Sequence, residues 1–167
     1  AVPANGLMRP QPGGPSISSW LTSLIVLGLL MASGRGQADG VVLEALRSGD
    51  AVLTLRHALA PGTGDPDNFK LPDCSTQRNL DSVGLRQAQA IGAWFRANGI
   101  VRAGIYSRRW CRCLETARLL DLGRVRPLGG LNSFFDLPED RTVNLAALRK
   151  FLLERKPSGE ATILVTH

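Results

Sequence analysis

The sequence predicts an α/β fold with a mainly parallel sheet, and three observations carry that expectation. Residues 51–55 and 161–166 form short apolar runs, dense enough to be strands buried on both faces of a sheet. Between them, segments of helical period alternate with further short strands, the order that gives parallel strands joined by helices. Both apolar runs then lead into the only two histidines of the chain, His57 and His167. Ligands of open α/β sheets bind outside the carboxyl ends of the strands. Arg56, His57 and His167 are therefore predicted to share a binding edge.

Taken in order, the elements begin with a short helix or turn over 41–46, leading into the strand at 51–55. A loop from 58 to about 80 follows, rich in proline and glycine in its first half and without a period. Structureless stretches of that length in a small domain usually serve function. Asp81 or Ser82 caps a helix running to about Asn98, with Leu85, Ala88, Gly92 and Phe95 on one face and Asn98-Gly99 as the stop. A second strand centres on 103–106. The next helix spans about 110–120, with Trp110, Leu114 and Ala117 on one stripe. Residues 124–126 give a third, short strand, and 127–139 read as loop. Thr142 caps a helix that turns Leu145, Leu148 and Leu152 inward, and Lys156-Pro157-Ser158-Gly159 ends it before the last strand.

A length of 167 residues suits one domain with a real core. The apolar fraction of 44% and charged fraction of 20% are those of an ordinary globular protein. The net charge of +6 comes mostly from arginine, since Lys70, Lys150 and Lys156 are the only lysines. An excess of that kind suits an anionic ligand such as phosphate, although arginine-favouring codon usage produces it too. The basic residues are scattered along the chain, which argues against a nucleic-acid surface.

Residues 1–38 read as a leader. A stretch rich in proline, glycine and serine precedes the mostly apolar, uncharged run from Trp20 to Ala32, with Arg9 ahead of it and Gly36-Gln37-Ala38 behind. Thirteen residues are too few for a membrane span of roughly 20 but fit a secretory apolar region of about 7–15. A cleaved signal peptide is the expectation, with an uncleaved N-terminal anchor as the alternative. The folded domain is then residues 39–167, and the protein is expected to be exported to the periplasm or beyond.

The chemistry sits at the strand ends. A neutral imidazole is a nucleophile near neutral pH, and arginine holds phosphate with paired donors. Arg112, in the first turn of the helix after the second strand, sits where backbone N–H groups and the helix dipole favour an anion, and Thr116 shares its face. Four segments in order carry a resemblance to a known family. These are Leu55-Arg56-His57-Ala58, the stretch from Arg78 through Asp81, Gly84 and Gln87 to Ala88, Arg112-Cys113-Leu114-Glu115-Thr116-Ala117, and Leu164-Val165-Thr166-His167. Together they resemble the signature segments of the histidine phosphatase superfamily over roughly residues 50–167.

The resemblance implies the three-layer α/β/α architecture of phosphoglycerate mutase-like proteins. It implies a phosphomonoester phosphatase in which His57 becomes phosphohistidine, while Arg56, Arg112 and His167 bind the transferring phosphate. No metal and no cofactor are implied. The expected partner is a phosphorylated small molecule or surface polymer. A mutase, a phosphohistidine-protein phosphatase, or a non-catalytic phosphate-binding relative are the alternatives. Ala58 stands where the family has glycine, Arg108 where it commonly has serine, and Ser133 where its acidic glutamate is expected. Asp136, Glu139 or Asp140 are the candidate proton donors instead. Because the family normally continues beyond the second histidine, the chain is expected to be incomplete at its C-terminus. Three cysteines in an exported chain allow one disulfide, from Cys74 to Cys111 or Cys113, with three buried thiols as the alternative. Pro61-Gly62-Thr63-Gly64-Asp65 lacks the lysine of a P-loop and reads as a flexible lip for substrate.

Overall fold

The structure is a computed structural model that describes residues 40–132 and 139–167. Residues 1–39, on which the expected leader falls, and Ser133 to Pro138, which include Asp136, lie outside the described residues. Helix α1 covers 40–47. It is followed by β1 (Val52–Arg56), α2 (Ser82–Ala97), β2 (Ala103–Ser107), α3 (Cys111–Leu119), β3 (Val125–Pro127), α4 (Asp140–Glu154) and β4 (Ala161–Thr166). The four strands pair in parallel in the order β1-β4-β2-β3. The α/β fold with a parallel sheet is therefore present, and β4 lies between β1 and β2, so both histidines emerge from neighbouring strands.

Strand alternation sorts the side chains between two faces. Leu53 and Leu55, Ala103 and Ile105, and Ala161, Ile163 and Val165 turn toward α2 and α3. There they pack with Phe95, Cys113, Ala117 and Leu120 in the main core, which Leu43 and Leu46 of α1 also join. The opposite face carries Val52, Thr54, Arg56, Leu164 and Thr166, across a cavity from α4. Tyr106 meets Phe151 of α4 on that side, ring centroids 4.6 Å apart. Helices thus flank both faces, giving three layers.

Several expectations shift. In α2 the buried residues are Gly84, Ala88, Gly92 and Phe95, while Leu85 is only half-buried. Close approach explains the substitution of glycine for leucine on that face: a Cβ at Gly84 would stand 2.0 Å from the Leu59 carbonyl oxygen. Gly92 meets the Leu120 carbonyl in the same way, at 2.1 Å. In α3 the buried stripe is Cys113, Thr116 and Ala117 with Leu120 beyond, and Leu114 is half-buried. Helix α4 begins two residues before Thr142, because Glu139 is already in helical conformation and acidic Asp140 suits the positive end of the helix. Thr142 is therefore no cap. Leu145, Leu148 and Leu152 line the cavity, yet α4 has no fully buried residue.

Candidate active site

The loop after β1 is fastened at its first residues. The His57 N–H donates to the Thr166 carbonyl at 2.9 Å, which extends the β1–β4 pairing by one residue. The Ala58 N–H donates to Thr116 Oγ1 at 3.0 Å, and that hydroxyl donates in turn to the Arg112 carbonyl at 2.7 Å. The Leu59 N–H donates to Gln87 Oε1 at 2.9 Å. Asp81 caps α2 through the Gly84 N–H at 2.7 Å, and Gly84 allows the helix to approach the Leu59 backbone. The sequence segment from Asp81 to Gln87 thus acts structurally, holding the chain that follows His57.

His57 is buried, with 8% of its surface exposed. Its Nδ1 lies 2.7 Å from the Ala58 carbonyl oxygen, an acceptor only, so Nδ1 carries the proton and Nε2 keeps its lone pair. Nε2 is buried and has no hydrogen-bond partner. Burial lowers the His57 pKa to about 4 against the support of the Ala58 carbonyl, with Arg112 and His167 pushing the same way as burial. The ring is therefore neutral at physiological pH.

His167 stands 5.0 Å from His57 between ring centroids, edge to face. Arg56 Nη2 donates to His167 Nε2 at 3.2 Å, since a guanidinium accepts nothing. Burial and the nearby Arg56 and Arg108 lower the His167 pKa as well. Arg112 is 3% exposed and lies at the start of α3, beside Thr116. The structure therefore brings Arg56, His57, Arg112 and His167 together at the carboxyl ends of β1, β2 and β4. Glu139 is exposed at the start of α4 and does not line the cavity.

Three residues that sequence reasoning left without a role complete the site. Arg108 is 3% exposed, and its guanidinium lies 3.7 Å from the centroid of the Trp110 ring. Arg78 Nε donates to the Gly64 carbonyl at 2.8 Å, and its Nη1 donates to the Ala60 carbonyl. Asp65 forms an ion pair with Arg112, Oδ1 to Nη1 at 2.7 Å. Burial would raise the Asp65 pKa, but the hydrogen bonds from Arg112, the Arg78 N–H and Trp110 outweigh it and hold the carboxylate ionised. The expected flexible lip is in fact tied down: Gly62 and Gly64 supply positive φ angles of 88° and 65°, and Arg78 clasps the turn they make. Both glycines line the cavity, a space of about 1090 Å³ that Arg56, Arg78, Arg108, Arg112 and Arg141 share, among the described residues, with one lining acidic side chain, Asp65.

Cys74 and Cys111 are joined by a disulfide, their Cα atoms 5.7 Å apart. The bond ties the long loop to the first residue of α3, next to Arg112. Gln77 reinforces it, accepting from the Cys111 N–H at 2.9 Å and donating to the Leu71 carbonyl at 2.8 Å. Cys113 stays a free thiol, and burial pushes its pKa up to about 11, which leaves it protonated and unreactive.

No protein-family model matches the chain, and no curated protein matches it. Among solved structures it is similar to one described as "Crystal structure of the putative phosphohistidine phosphatase SixA from Agrobacterium tumefaciens". The likeness has 20% sequence identity and a TM-score of 0.48, over 70% of this chain and 68% of that one. Likeness of this degree assigns neither a family nor an activity, so the functional reading rests on the site.

Proposed function

We propose that the chain is a metal-independent phosphomonoesterase that works through a phosphohistidine on His57. One observation carries the reading: a neutral histidine, proton fixed on Nδ1 and Nε2 unpartnered, lies among Arg56, Arg112 and His167. The Nε2 lone pair attacks phosphorus while the ester P–O bond breaks. The Ala58 carbonyl stabilises the positive charge that attack places on the ring. Phosphoryl transfer requires mainly positioning and charge stabilisation, which the guanidinium groups supply. Asp136, outside the described residues, remains the candidate to protonate the leaving oxygen, because Glu139 does not line the cavity. Water then attacks the phosphohistidine, releasing phosphate and restoring neutral His57.

The substrate is a phosphorylated small molecule or surface polymer, and the protein is exported. The Cys74–Cys111 disulfide supports export, because such bonds persist in oxidising compartments. Among the described residues no helix is long and apolar enough to cross a membrane. A second reading, phosphate binding without turnover, is favoured by the near-complete enclosure of the His57 Nε2. Acid-labile phosphate labelling separates the two, run beside release of phosphate from para-nitrophenyl phosphate. The wild type is expected to take up label and turn over, and His57→Ala to do neither. Phosphate binding without label on His57 would leave the binding reading; label passed on to a second organic acceptor would indicate a mutase.

A further inference from the structure

Polar contacts within the long loop converge on Asp65, the residue that closes the Gly62-Thr63-Gly64 turn. Its Oδ1 accepts from Arg112 Nη1 at 2.7 Å and from the Arg78 N–H at 3.0 Å, and its Oδ2 accepts from Trp110 Nε1 at 3.0 Å. One carboxylate therefore joins the loop, the approach to α2 and the start of α3. The pair it makes with Arg112 is withdrawn from solvent, the side chains being 15% and 4% exposed. Held ionised by these partners, such a carboxylate carries no proton to donate.

The geometry of the guanidinium makes this contact informative. Its donors lie in one plane, and Nη1 is the nitrogen on the same side as Cδ. A partner on Nη1 leaves the opposite edge, made by Nε and Nη2, available for a bidentate grip on an oxyanion. Nε of Arg112 is buried and unpartnered, and Arg112 lines the cavity. The same carboxylate fixes the Trp110 indole, whose face carries the Arg108 guanidinium.

We propose that Asp65 is a positioning residue for phosphate: it anchors Arg112 through Nη1 so that the Nε–Nη2 edge faces the anion, and it orients Arg108 through the Trp110 ring. The proposal rests on the reading of this cavity as a phosphate site. Charge alone predicts the opposite sign, since removing a carboxylate from a cluster of arginines should tighten anion binding. Positioning predicts that binding weakens. The sign of the effect therefore decides between the two.

Inorganic phosphate binding to the full chain, measured by titration calorimetry, provides the test, with thermal unfolding followed in parallel. Asp65→Asn is expected to weaken binding about tenfold or more, the size of losing a hydrogen bond to a charged group, with no shared loss of folding. Added to Arg112→Ala, it is expected to cost little further, because two residues acting as a unit are not additive. Unchanged or tighter binding in Asp65→Asn, or losses that add across the double variant, would overturn the proposal. Should Asp65→Asn fail to fold, Trp110→Phe decides: it removes the Nε1–Oδ2 contact while keeping an aromatic ring, though a smaller one, beneath Arg108; weaker binding supports the role, and unchanged binding overturns it. A wild type that labels His57 while Asp65→Asn binds phosphate undiminished overturns the positioning role alone. A wild type that binds phosphate without ever labelling His57 removes turnover and leaves the positioning role to the binding measurements. A wild type that binds no phosphate overturns both.

Discussion

The two faces of the sheet are built from the same strands and have different tasks. On one face Ile105, Ile163 and Val165 are fully enclosed against α2 and α3, a close-packed interior in which helix backbones approach to glycine distance. On the other, α4 holds none of its residues fully buried, and Leu145 and Leu152 stay 45% and 41% exposed above the cavity. The first face fixes the backbone that follows His57, through Thr116 and Gln87. The second opens a space where arginines can meet an anion. Rigidity and access are thus divided across one sheet, with His57 at the boundary between them.

The largest effects should come from breaking the packed face. Ile163→Ala there is expected to cost about 2–5 kcal/mol, from lost transfer energy and an unfilled cavity. The matching truncation on the open face, Leu152→Ala, is expected to cost about 1 kcal/mol or less, since its side chain has little apolar burial to lose. Urea midpoints of the two variants measure the contrast directly. Equal losses would mean that α4 is packed as tightly as α3 and that the division between the faces does not hold.

A smaller effect, read in activity instead of stability, comes from the open face. Arg56 is exposed and its described contact is the His167 ring, so Arg56→Ala should leave the melting temperature nearly unchanged. If it stabilises charge on the transferring phosphate, kcat/KM should fall about 10²-fold, the usual scale for one such donor. A fall in stability without a fall in turnover would place Arg56 among the structural residues.

What could be read from the sequence follows the range of the interactions involved. Arg56, His57, Arg112 and His167 were legible because each sits at or just past the end of an apolar run, and the α/β rule states what strand ends do. Asp65, Arg78 and Arg108 were not. The Asp65–Arg112 pair spans 47 residues of chain, much of it a loop without period, and no local pattern predicts such a closure. A carboxylate directly behind a Gly-Thr-Gly turn in an arginine-rich chain was the one available signal. Helix faces were legible only to within one position. Leu85 is a better hydrophobe than Gly84, but the approach of the Leu59 backbone decided the face, and close approach leaves no trace in periodicity. The extent of α4 was readable, whereas the cavity beneath its leucines was not. An apolar stripe looks the same whether it is buried in a core or lines a cleft.

The last prediction tests the boundary itself, through pH. Burial lowers the His57 pKa to about 4, against about 6.5 for an exposed histidine. Between those values the unfolded chain binds a proton at this position that the folded chain does not. By linkage, stability then rises with pH across the window and is flat on either side of it. Acidification from about pH 6.5 to about pH 4 should therefore destabilise the wild type, and His57→Asn should lose that part of the slope while keeping the share contributed by His167. At neutral pH the term vanishes, which makes it the smallest of these effects under ordinary assay conditions. Catalysis should show the same group from the other side. A nucleophile that stays neutral down to about pH 4 places the acidic limb of kcat/KM near 4 instead of near 6.5. An acidic limb near 6.5, matched by a His57 imidazole pKa near 6.5 in an NMR titration, would mean that the ring is solvated like a surface histidine, and that the packed face does not extend to the site.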